Sequence, residues 1–179
     1  MAEGEPRRLG VSIDVPPHAY DPAREPERFE GVLARRVVAF FIDFVILAVP
    51  VVFAFMFLIV FTVLTFGLGA LLFWLFWPAT VVWALAYYGL TLGSPHSATI
   101  GMRVMDLEMR LWYGAPMYAL LGAVHALTFW LTVSFLTPFI LLVGLFNERR
   151  RLLHDILVGT VVINNDVRAS ALRVVRRCG

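Results

Sequence analysis

The stretch ARRVVAFFIDFVILAVP, residues 34–50, sets two arginines at the mouth of an apolar run and one aspartate, Asp43, inside it. Residues 37–64 carry no other charge. Residues 71–99 carry none, and neither do residues 116–146, where His125 is the lone imidazole. Uncharged apolar stretches of this length read as transmembrane helices. The whole chain agrees: of 179 residues, 60% are hydrophobic and 16% charged, against about a quarter charged in an ordinary soluble domain. The sequence therefore predicts a single-domain, all-α, polytopic membrane protein.

The flanks are polar. Residues 1–32 combine mixed charges with five prolines, the composition of a disordered tail. They lack the short apolar core and small-residue cleavage site of a signal peptide. Residues 165–179 form a second, basic tail. One cysteine, Cys178, excludes an intrachain disulfide. All 15 basic residues are arginines and the net charge is only +2. Because these arginines flank apolar segments, they fit orientation and contact with anionic lipid, not nucleic-acid binding.

The domain between the tails is expected over residues 33–164. Two full spans occupy roughly 37–64 and 70–92, joined by the uncharged turn 66–69. Gly93-Ser94-Pro95 ends the second. The third apolar block, 116–146, would be roughly 46 Å long as a straight helix, beyond the ~30 Å hydrocarbon core. It must tilt, protrude or break, and Pro138 marks a break. The arginines favour the break: six precede the first span, two lie in the 94–115 connection, seven follow residue 146, and the 66–69 turn has none. A broken block keeps every basic segment on the cytoplasmic side, with both termini there and the protein in a bacterial inner membrane. MRVMDLEM (102–109) and GTVVINND (159–166) read as strands that pair in a small β-ribbon at the membrane surface.

Asp43 is the first candidate for chemistry. It lies roughly 9 Å beyond Val37 along a helix, and a charge at that depth is costly unless it meets a partner, water or a proton. Arg36, seven residues earlier, falls on the same helix face about 20° away but about 10 Å along the axis, too far for a direct bridge. Two readings stand open for this pair: fixing helix packing, or handling an ion or substrate. NERRRLLHDILVGTVVI (147–163) looks like a short interfacial helix, with Asp155 either solvated beside the arginines or paired across to Arg36. His125, Thr128 and Arg103 are polar partners by type. His154-Asp155 alone lacks the further ligands of a hydrolytic metal site. No phosphate loop, nucleophile elbow or zinc motif is present, so neither an enzyme nor a cofactor is expected.

RRVVAFFID (35–43), LLHDILVGTVVI (152–163) and GSPHSATIGMRVMDL (93–107) together resemble the RDD family of bacterial membrane proteins. The resemblance makes Arg36, Asp43 and Asp155 the arginine and two aspartates of the family motif, and Ala98-Thr99-Ile100-Gly101 its Gly-Thr-Gly-like run. It implies a multi-pass membrane protein and points to transport of an unidentified ligand. The function expected is transport of a small solute or cation, with proton coupling at Asp43. The alternative is a non-catalytic accessory subunit of a larger membrane complex. The expected partners are the lipid bilayer and either further copies of the chain or such a complex.

Overall fold

The structure, a computed structural model, describes residues 18–136 and 149–178. Among these residues six α-helices and two strands follow in chain order: α1 Val32–Leu64, α2 Phe73–Leu92, α3 Ile100–Val104, β1 Leu107–Leu111, α4 Ala119–Leu136, α5 Leu153–Val158, β2 Thr160–Asn164 and α6 Asp166–Cys178. The break expected at Pro138 lies outside the described residues.

Among the described residues, two helices are long and apolar enough to cross a membrane: α1, and α2 with the short 3₁₀ turn Leu68–Leu72 before it. At 33 residues, α1 is about 50 Å long, more than a straight crossing of the hydrocarbon needs. Arg35 and Arg36 lie in its first turns. Between the spans, Phe66 and Gly67 take left-handed backbone (φ 52° and 100°), which reverses the chain without a charged residue. Phe55 of α1 meets Phe73 and Phe76 of α2 at 6.0 and 5.5 Å. Pro50 and Pro78 sit inside the two helices, where neighbouring helices and local adjustment make proline tolerable in lipid.

The core gathers at one end of the molecule. Val32, Ala39, Asp43 and Leu47 are buried on α1, a 7-4-4 spacing that draws one stripe along the helix. That stripe packs against α3 and the two strands. Val32, Ala39, Leu92, Met102, Leu107 and Val162 form the centre of the cluster. The α2–α4 junction is equally close. A Cβ on Gly93 would lie 2.5 Å from the Ala119 backbone nitrogen, so only glycine permits this approach.

β1 and β2 pair antiparallel, with Leu107 opposite Asn164 and Leu111 opposite Thr160. The expected ribbon is present but shorter than its sequence reading. Met102–Val104, read as strand, belong to helix α3, and the strand begins only at Leu107. Thr99 explains the difference: its side chain accepts the Met102 N–H at 3.1 Å, capping a helix where a strand was expected.

The polar flanks also carry structure. Phe29 is buried against Val161 and Ile163, and Ala19 N–H donates to the Trp112 carbonyl. Residues 166–178, read as a tail, form helix α6, whose Arg173 reaches back to Glu27. Asn164 joins the two ends: its amide donates to the Glu27 and Glu30 carbonyls and accepts from Arg35.

Candidate functional site

Two polar joints sit on the buried stripe of α1. The deeper is Asp43, 4% exposed. Its Oδ1 accepts the Tyr87 hydroxyl at 2.6 Å and the Gly101 backbone N–H at 2.7 Å, and its Oδ2 accepts the Thr99 hydroxyl at 2.6 Å. The donors come from α2 and from the first turn of α3, so one carboxylate locks three elements together. Three donors satisfy the acceptor oxygens of this buried carboxyl group, so it is not left unpaired inside the protein. Gly101 makes the approach feasible. A Cβ there would collide with the Ala39 carbonyl oxygen and lie 2.9 Å from the Asp43 carboxyl.

The second joint is nearer the N-terminal end of α1. Arg36 donates through both terminal nitrogens to Asp155, Nη1 to Oδ2 and Nη2 to Oδ1 at 3.1 Å. Asp155 is fully buried and Arg36 nearly so. Leu152 N–H adds a 2.9 Å bond to Oδ2. Arg151 holds the segment from outside, donating to the Asp155 and Thr160 carbonyls. Burial alone would push the Asp155 carboxyl up. The charge and hydrogen bonds of Arg36 more than offset this and hold it below the usual carboxylate range. Paired this way, Asp155 is an anion at neutral pH.

Two histidines close on the same carboxylate. His125 Nε2, from α4, lies 3.7 Å from Asp155 Oδ1, and His154 Nε2 lies 3.5 Å from it. Their rings meet edge to face at 5.0 Å, and Phe129 covers His154 at 5.1 Å. His125 Nδ1 faces the Thr160 hydroxyl at 3.4 Å. His154 Nδ1 is buried and has no hydrogen-bond partner among the described residues. Burial lowers the His154 imidazole to about 3, against the opposing pull of Asp155, so its ring is neutral.

A cavity of about 340 Å³ runs along both joints. Arg36, Asp43, Thr99, His125 and His154 are its polar lining. Tyr88 also lines it, and the rest is apolar, including Phe40, Phe129 and Leu152. Val37 and Phe41 line it and are also exposed on α1, so they stand at its rim. α1 meets α4 here through Phe40 and Phe129, whose rings are 5.8 Å apart.

A profile of the RDD family matches residues 31–159. The chain belongs to the RDD family. It is thus a membrane protein, in keeping with its two span-length apolar helices. The match takes in Arg36, Asp43 and Asp155, and both joints with them. This RDD chain matches no curated protein and no solved structure.

Of the residues singled out from sequence, the structure brings Arg36, Asp155 and His125 together and sets Asp43 apart with donors of its own. Thr128 bonds back to the Val124 carbonyl of its own helix. Arg103 donates to Ala98 and Ser94. Neither reaches Asp43. The sequence reading gives Tyr87 no part, Thr99 only a place in the Gly-Thr-Gly-like run, and His154 no ligand role. Thr99 had a signal, since it stands before Ile100-Gly101 as a helix cap. Tyr87 had none, being one of two adjacent tyrosines whose facing is a tertiary matter.

Proposed function

We propose that this RDD protein is a transport unit for a small solute or cation, and that its solute rests in the cavity between α1 and α4. The observation that carries the reading is the character of that cavity: a mostly apolar pocket of about 340 Å³ whose polar lining includes a half-buried arginine, a carboxyl group, a threonine and two histidines. Ionisable groups kept at membrane depth and facing an internal cavity are the ordinary signature of substrate and ion paths. Asp43 was the expected coupling residue, but its three donors favour a structural task. We therefore assign solute contact to Arg36, His125 and His154. The arginine distribution supports a bacterial inner-membrane location with both termini cytoplasmic. The chemistry proposed is non-enzymatic.

The second reading, an accessory subunit, is favoured by the surface of α1. Only five of its 33 residues are buried, which leaves a long apolar face for lipid, a second copy or another protein. A transporter built on two long spans would itself need such copies to wall a path. Flux of ions and protons in proteoliposomes separates the two readings. Uptake by the wild type that is lost in His154→Ala, with insertion unchanged, supports transport. Absence of any flux across a panel of ions and small solutes, with one stable partner recovered in mild detergent, overturns it in favour of the accessory role.

A further inference from the structure

His125, His154 and Asp155 come from two different helices, and each offers a ligand atom within 4.8 Å of the others. All three are buried. Tetrahedral bonds of about 2.0–2.1 Å place ligand atoms about 3.4 Å apart. The separations from Asp155 Oδ1 to the two imidazole nitrogens, 3.5 and 3.7 Å, are near that value; the two imidazole atoms lie within 4.8 Å of each other, so an ion would draw the two rings together. Arg36 does not fill the place. It occupies Oδ2 and one side of Oδ1, and Leu152 N–H takes Oδ2 as well, so the remaining acceptor capacity of Oδ1 faces the rings.

His154 gives the independent sign of a missing ligand. The residue is 1% exposed. Its Nε2 faces Asp155 Oδ1 at 3.5 Å, long for a hydrogen bond; its Nδ1 has no partner among the described residues, and an ion held at Nε2 would leave Nδ1 as it is. A buried imidazole without a good bond at either nitrogen is costly. An ion at Nε2 would turn that nitrogen into a ligand. His125 is already oriented as a ligand would be, with Nδ1 toward the Thr160 hydroxyl, the outer contact that commonly fixes a metal-binding histidine. His125 and His154 also line the cavity, which leaves a fourth position open to solvent or solute.

We infer that His125, His154 and Asp155 form a binding site for a divalent transition-metal ion of the zinc type. Two imidazoles and one carboxylate suit zinc and its neighbours better than magnesium or calcium, which prefer all-oxygen shells. The inference rests on the transport reading only in using the same cavity; binding stands whether or not the ion is carried.

The test is equilibrium binding of Zn²⁺ to the full-length chain in detergent after chelator treatment, with Co²⁺ as spectroscopic probe. The expected result is one Zn²⁺ per chain, and a visible four-coordinate Co²⁺ spectrum that Zn²⁺ displaces. His125→Ala and His154→Ala should each weaken Zn²⁺ at least tenfold. The paired His18→Ala, His96→Ala variant, which removes the other two of the four histidines, should bind as wild type does. His154→Gln keeps the volume of the ring should the alanine variant fail to fold; Zn²⁺ should raise the melting temperature of wild type and leave that of His154→Gln unchanged. No stoichiometric binding to wild type, or equal binding by the His125→Ala, His154→Ala double variant, overturns the site. Binding without flux removes the transport reading and leaves the site; solute flux without metal binding does the reverse.

Discussion

Arg36 and Asp155, 119 residues apart in the chain, are joined by two parallel hydrogen bonds inside the protein. This pair is the clamp between α1 and the segment that follows the last apolar block. Removing one member of a buried pair strands the other, at a typical cost of about 3–5 kcal/mol. Arg36→Ala should therefore lower stability by that order, read as a fall in the unfolding midpoint in detergent. Arg36→Lys should recover only part of the loss, because an ammonium cannot reproduce the two-pronged geometry.

Asp43 makes the opposite case, a carboxylate held by neutral donors. Asp43→Asn keeps one acceptor oxygen but turns the other into a donor facing the Thr99 hydroxyl. The expected loss is about 1–3 kcal/mol. Asp43→Leu strands the Tyr87 and Thr99 hydroxyls and the Gly101 N–H together, so it should be less stable than Asn. A lone buried carboxylate would give the reverse order. Thermal unfolding of the three proteins side by side decides which description holds.

Gly101→Ala should mimic the loss of Asp43. The new methyl meets the Ala39 backbone carbonyl and the Asp43 carboxyl, and the backbone cannot turn aside as a side chain would. Overpacking of this kind costs about 1–3 kcal/mol. Because both changes break one contact, the Gly101→Ala, Asp43→Asn double variant should lose clearly less than the sum of the single losses. Simple additivity would show that the two residues act separately.

The orientation proposed from the arginines predicts thiol accessibility. Native Cys178 is exposed, so the background is Cys178→Ser. A cysteine at Leu68, exposed beside the uncharged turn, should react with an impermeant reagent added outside intact cells. One at His96 or Asn165 should react only after permeabilisation. Ser97 is unsuitable, since it is fully buried and its hydroxyl accepts the Met117 N–H; silence there would report burial and not sidedness. Outside labelling at 165 would overturn the proposed orientation.

The spans and the ribbon partners were legible because each rests on a local pattern: uncharged runs for α1 and α2, and a β-branched run for Thr160–Asn164. The start of β1 was not. Met102–Val104 have the composition of a strand, but the Thr99 cap and the Gly101–Asp43 bond impose helix. Arg36 and Asp155 stood out by their residue types in apolar surroundings. The convergence of His154 on His125 was hidden, because it depends on the depth at which α4 passes α5, and neither helix carries a charge pattern that fixes its height. Likewise, nothing local tells which of Tyr87 and Tyr88 turns toward α1.

The two joints on α1 also differ in when synthesis can complete them. Everything that holds Asp43 has been made once residue 101 exists. Arg36 waits for residue 155, by which time all the described span-length helices and β1 have been translated. A ribosome paused between those points carries a half-built protein with one seam closed and an arginine still unmatched in its first helix. Assembly of the Arg36 joint is therefore a late event, and a truncation before residue 155 leaves the chain with the first seam and without the second.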